Sequence, residues 1–164
     1  MKNLSFLFLV LSLVSTANAA IDKADWALKS GTLSYHVSFA VKNVLGTSQS
    51  AKGKGHCDDK GCEFLVAAPV KSFDSGDGNR DNHMMEVTKG ALNPMVMVKV
   101  QFPKSSDLKA IVAKAEVTFA GQTHTYSDIK ITGSQNGNVT NVKGTVPMVL
   151  SHFNVERPSL LTVK

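Results

Sequence analysis

Two cysteines in 164 residues are too few to build a disulfide-framework miniprotein. No run of Lys and Arg gathers the net charge of +5, and without a basic stripe nucleic-acid binding has little support. No apolar stretch reaches the ~20 residues that a membrane-spanning helix needs. Internal repeats, linkers and low-complexity tracts are also missing, which excludes solenoids, disordered tails and a string of domains. What remains is a chain with 43% hydrophobic and 19% charged residues. That balance suits one globular domain, which ordinarily holds roughly 100–200 residues.

The most apolar segment lies at the N-terminus and reads as an address. Lys2 supplies a positive start, residues 4–14 are apolar, and Ala17-Asn18-Ala19 offers the small residues that a signal peptidase reads. The stretch is too short for an anchor, and no lipobox cysteine follows. We therefore expect residues 1–19 to be a signal peptide cleaved after Ala19. Residues 20–164 would form one exported domain with no transmembrane segment. Export bears on the cysteines: Cys57 and Cys62 enclose Asp58-Asp59-Lys60-Gly61, a polar segment able to reverse the chain. In an oxidising compartment a disulfide is the expected product, with a free dithiol the second choice. A metal site would want more ligands than the adjacent His56, and a redox pair is more often separated by two residues.

Alternation with a period of two dominates the rest. Leu33, Tyr35, Val37, Phe39 and Val41 share one strand face, with Ser34, His36, Ser38, Ala40 and Lys42 on the other. Residues 49–56 are expected to pair through the cysteine hairpin with residues 63–70, where Pro69 suggests an edge or a bulge. Further strands read at 95–102 and 111–119. Gly121-Gln122 turns the chain into 123–132. Gln135-Asn136-Gly137 turns it into 138–150, Asn-Gly being a strong signal for a type I′ hairpin. A long helical period is nowhere present, so the pattern predicts an antiparallel barrel or sandwich. One short helix is expected at 79–88, stopping before Gly90 as C-cap, with Met84 and Val87 toward the sheet and Met85 beside them.

The densest polar cluster, SFDSGDGNRDNHMMEV at 72–87, holds Asp74, Asp77, Arg80, Asp81, His83 and Glu86. A catalytic reading would make His83 a base oriented by Asp81 or Asp77, but no serine or cysteine has the setting of a nucleophile. The spacing also misses a calcium loop. The favoured reading is structural: these groups cap the helix and tie the loop to the rim through Arg80–carboxylate bonds. His83-Met84-Met85 with Met95 and Met97 could suggest a Cu(I) site, yet methionine more commonly fills apolar space and adapts to ligands. His36, His56, His124 and His152 lack zinc-like spacing and read as surface or rim residues.

Four stretches taken in order resemble the YceI-like family, the lipid or polyisoprenoid-binding YceI-like domains. They are VSFAVKN at 37–43, SFDSGDGNRDNHM at 72–84 with its Arg80-Asp81-Asn82-His83-Met84 element, the strand at 95–102, and FNVERPSLL at 153–161. The resemblance implies an all-β fold, an extended lipocalin-like antiparallel β-barrel with one short helix around an apolar interior. It also implies periplasmic binding or carriage of a polyprenyl chain, an isoprenoid quinone or a similar amphiphile, without catalysis. Two departures stand out. Asn43 occupies a place where many members carry a histidine, and the sequence stops at Lys164 where members usually continue into a closing strand, so a shortened or open barrel is expected.

On this reading the lipid would contact Tyr35, Val37, Phe39, Phe64, Val66, Met84, Met85, Met97 and Phe119, and its headgroup Lys71, Arg80 and His83. Cys57 and Cys62 would form the disulfide. No catalytic residue, metal or cofactor is assigned beyond a bound isoprenoid lipid, and the protein would be a monomer or homodimer. Two other classes compete: a hydrolase or isomerase using the His83 cluster, and a protein-interaction module with a filled barrel.

Overall fold

The alternating segments become strands of one continuous antiparallel sheet in the computed structural model, which describes residues 5–15, 24–39, 42–104 and 107–156. The strands are β1 (Ser5–Ser15), β2 (Ala24–Phe39), β3 (Lys42–Ser48), β4 (Lys52–Asp58), β5 (Gly61–Pro69), β6 (Met95–Phe102), β7 (Ile111–Phe119), β8 (Gln122–Asn136) and β9 (Val139–Met148). The helix α1 (Gly78–Val87) rides on the connection from β5 to β6. The order is β1-β9-β8-β7-β6-β5-β4-β2-β3, with β1 also paired to β2, so eight strands close a ring and β3 pairs with β2 outside it. The fold is all-β, a curled lipocalin-like barrel with one helix.

Burial decides which face turns inward. Phe64, Val66 and Ala68 of β5, Val96, Val98 and Val100 of β6, and Ile111, Ala113, Ala115 and Val117 of β7 are all buried. A slip of one residue in any of these strands would turn the whole set to water, at ~0.8 kcal/mol per exposed methylene, which pins the register. The outer face carries polar pairs beside exposed Leu65 and Val112: Gln101 Nε2 donates to Glu63 at 2.6 Å and Lys99 pairs with Glu116 at 3.0 Å.

In β8 the phase changes once. Tyr126 faces Ala115 and Ile129 faces Ala113, so Ser127 and Asp128 together oppose Lys114. Asp128 takes φ 58° in this bulge, a conformation that Asp tolerates better than most residues. The extra residue lets Tyr126 and Ile129 share the inner face despite their odd spacing. Glycines do a different job in β3 and β4. A Cβ at Gly46 would lie 2.3 Å from the Tyr35 ring, and one at Gly55 2.1 Å from the Phe64 ring, so these positions leave room for inward aromatics.

The cysteine hairpin forms as expected: Cys57 faces Cys62 across the β4–β5 ladder, and the two are disulfide-bonded. Other local details differ from the sequence reading. Pro69 is the last residue of β5, opposite Met95 in the interior of the sheet, rather than at an edge or bulge; its φ of −63° leads into a 3-10 turn at Val70–Ser72. The β7–β8 turn is Ala120-Gly121, both at positive φ (49° and 78°), while Gln122 already pairs with Phe119. The β8–β9 turn is Gly137-Asn138, with Asn136 paired to Val139. Only Gly137 has positive φ there, at 58°, which is the pattern of a type II′ rather than a type I′ turn. Lys89, not Gly90, takes the left-handed position after α1, at φ 51°. Gly90 follows it, its amide donating to Met85 O at 2.8 Å while Lys89 N donates to Glu86 O at 3.0 Å, a Schellman closure.

The ring is closed by β1, whose Leu9 stands between Leu33 of β2 and Gly144 of β9 and is buried. These are residues that the sequence reading assigns to the signal peptide. An apolar segment able to extend can cover two open strand edges as readily as it can serve as a leader. The expected cleavage site at 17–19 and the phrase at 157–161 lie outside the described residues.

Candidate lipid-binding site

Alternation brings apolar side chains from the ring strands to one interior, with aromatic rings at both ends. At the disulfide end Trp26 meets Phe64 edge-on at 6.2 Å, and Phe64 stacks on Phe102 at 5.8 Å. At the helix end Tyr35 tilts against Phe73 at 5.7 Å, and Phe119 meets Phe153 edge-on at 5.8 Å. Met84 and Val87 of α1 pack against the same core. A 3-10 turn at Leu150–Phe153 buries Phe153 to 1% exposure.

The expected lining residues divide into several groups. Phe64 and Val66 are buried inside, and Tyr35, Met84 and Phe119 pack partly buried against the core. Val37 is half-buried opposite Val44, where β2 pairs with β3. Met85 is half-buried at the helix end, its Sδ and Cε against Gly90. Met97 belongs to the other face: it alternates with buried Val96 and Val98 and shares its side with Lys99, so it does not join the interior. The side chain of Phe39 lies outside the described residues. Trp26, Phe73, Phe102 and Phe153 are interior aromatics that the sequence reading left out. Phe102 was accessible from its even spacing after Val96, Val98 and Val100; Phe73 and Phe153 sit in connections where no period applies.

Around the helix end the polar groups organise on Ser75. Asp77 caps α1, accepting from Asn79 N at 3.0 Å and Arg80 N at 3.2 Å. Arg80 Nε donates to Ser75 Oγ at 2.8 Å and Nη2 to Ser75 O at 2.5 Å. The Ser75 hydroxyl in turn donates to Asp81 Oδ1 at 2.5 Å. One hydroxyl has a single proton and two lone pairs, so it can serve the cation and the carboxylate together. The expected Arg80–carboxylate tie is thus replaced by a tie through serine. The connection is also stitched to the β3 end by Thr47 and Asp74, which exchange backbone bonds at 2.9 and 3.0 Å, and by Ser48 with Ser72 at 2.7 Å.

Tyr35 borders this group. Burial pushes its phenol above the ordinary value, and the charge of Asp81 adds to that, opposed by Ser75 and Arg80. Of the expected headgroup residues, Arg80 is half-buried in the cluster, whereas Lys71 and His83 are exposed. His83 lies 3.6 Å from Glu86 on the outer side of the helix, so Asp77 and Asp81 are engaged elsewhere and do not orient it. Beside Phe153, His124 and His152 stack at 3.9 Å, and the Tyr126 hydroxyl, its pKa raised by burial, accepts from Val149 N at 3.4 Å. Among the described residues no three His, Cys, Asp or Glu converge as metal ligands, and no helix is long and apolar enough to cross a membrane.

No curated protein matches this sequence. A family model described as the YceI-like domain matches residues 13–164. That span takes in every strand from β2 to β9 together with α1 and the Ser75–Arg80–Asp81 cluster, and on it the chain belongs to the YceI-like family.

Proposed function

We propose that this protein binds and carries a polyisoprenoid, an isoprenoid quinone or a similar amphiphilic lipid inside its barrel, and performs no reaction on it. The observation that carries the reading is the apolar inner face, with aromatics at each end and the Ser75–Arg80–Asp81 cluster at the helix end. Membership in the family supports it, because lipid and polyisoprenoid binding is what that family resemblance implies. Once β1 is removed, the seven remaining strands of the ring, β9-β8-β7-β6-β5-β4-β2, form a curled sheet, and a sheet curled to that barrel size can hold one elongated ligand against its inner face. At ~0.8 kcal/mol per buried methylene, a long hydrocarbon would bind tightly with few polar contacts. Its polar end would meet Arg80, with Lys71 and His83 outside on the same end of the barrel. The hydrolase reading loses support because His83 faces Glu86 in solvent. We further propose that residues 1–19 direct export to the periplasm and are removed after Ala19.

Native mass spectrometry of protein purified without detergent tests the reading. The expected spectrum shows a lipid-sized adduct that survives gentle desolvation and is lost on collisional activation. Protein that carries no adduct and takes up neither a polyprenyl phosphate nor a short-chain quinone would refute it. Affinity that is unchanged after Arg80 and Lys71 are both replaced would remove the headgroup assignment alone.

A further inference from the structure

The connection from α1 to β6 places apolar side chains in water and holds them there. Leu92 is 80% and Met95 37% exposed, and Ala91 and Pro94 are exposed beside them. One exposed leucine is ordinary; Leu92 differs in standing beside exposed Ala91, Pro94 and Met95 on a hydrogen-bonded turn. The amides of Leu92 and Asn93 both donate to Lys89 O at 2.9 Å, and Val70 N donates to Pro94 O at 2.8 Å. The Asn93 carboxamide sits against the Gly121 turn. Folding the apolar tip back onto the barrel would break these bonds.

Two cations flank the tip. Lys89 stands at the foot of the turn, and Lys71 directly follows Val70, whose amide holds Pro94. Both are exposed, and neither has an ion-pair partner among the described residues. The neighbouring carboxylate, Glu86, faces His83. An apolar tip bracketed by unpaired lysines complements a surface with acyl chains below and anionic headgroups above.

We infer that residues 89–95 dock on an anionic lipid bilayer, with Leu92 and Met95 entering the interface and Lys71 and Lys89 meeting headgroup phosphates. The inference rests on the carrier reading and extends it. The tip follows α1, whose Met84 and Val87 pack on the core, so docking would set the helix-covered end of the barrel against the membrane from which a lipid is drawn.

The test is co-sedimentation of the exported protein with vesicles of mixed phosphatidylcholine and phosphatidylglycerol, and with phosphatidylcholine alone. We expect binding to the mixed vesicles that weakens with salt. Leu92→Ser should weaken it roughly tenfold or more. Each of Lys71→Gln and Lys89→Gln should weaken it about fivefold. Val112→Ser, at an outward position on β7 that is 55% exposed, should leave vesicle binding unchanged. All four variants should melt with the parent, since each replaces an exposed side chain. Absence of vesicle binding, binding indifferent to Leu92 and the lysines, or a Leu92-dependent association with protein alone would each overturn the inference. A lipid adduct in the native spectrum without vesicle binding removes only the docking; loss of both removes the carrier reading as well.

Discussion

Replacing Gly55 by alanine sets a methyl carbon 2.1 Å from Cδ1, 2.5 Å from Cε1 and 2.7 Å from Cγ of Phe64. Carbon atoms rest at roughly 3.5–4.0 Å, so the ring has to retreat by more than about 1 Å. It has little room to do so. Phe64 is 8% exposed, with Trp26 edge-on at 6.2 Å and Phe102 stacked at 5.8 Å. Overpacking of this kind costs about 1–3 kcal/mol, which for a domain of this size lowers the melting temperature by about 3–12 °C. Phe64→Leu alone should cost about 1 kcal/mol, and combined with Gly55→Ala it should relieve most of the clash. The double variant is therefore expected to be more stable than the sum of the singles by about 1 kcal/mol or more. The chain has one tryptophan, and it touches Phe64, so urea unfolding followed by Trp26 fluorescence reads both the transition and the local contact. Gly55→Ala within about 0.5 kcal/mol of the parent, or strict additivity in the cycle, would refute the claim that this glycine makes room for the ring.

Three further outcomes are expected. Asp77→Ala should cost about 0.5–2 kcal/mol by removing the cap that accepts from Asn79 N and Arg80 N, and thermal unfolding should show Asp77→Asn recovering most of the loss. The chain has two tyrosines, both with raised pKa, so tyrosinate absorbance in the folded protein should develop above the ordinary value near 10. Because the folded protein holds these protons more tightly than the unfolded chain, their stabilisation is complete below about pH 10 and is lost as pH rises toward the folded values; ordinary titration of both would contradict this. Finally, a chain beginning at Ala20 lacks β1, and the amides of β9 and β2 that pair with it in the full chain should exchange hydrogen faster. Equal protection in the two forms would show that β1 has no closing role.

Much of the barrel could be read from local pattern. β6 and β7 lie at 95–102 and 111–119 in both readings because their alternation is unbroken, and alternation is a property of neighbours along the chain. The cysteine hairpin and α1 were legible for a similar reason, each being set by turn and capping residues within a few positions. The discrepancies come where a choice depends on distant partners. Met97 was chosen for its residue type, whereas its parity with Lys99 puts it outside. Arg80 was expected to seek one of several nearby carboxylates, but the loop delivers the Ser75 hydroxyl and carbonyl first. The turns moved by one residue because the ladder, not the Asn-Gly pair, decides which residues remain unpaired.

Sequence by itself determined that inner and outer faces would differ, since the period of two commits each side chain to one side of a strand before any strand has a neighbour. Only the tertiary structure decided how the sheet closes. An apolar run such as residues 5–15 is equally suited to a leader and to a strand, and its place between β2 and β9 depends on edges contributed from opposite ends of the chain.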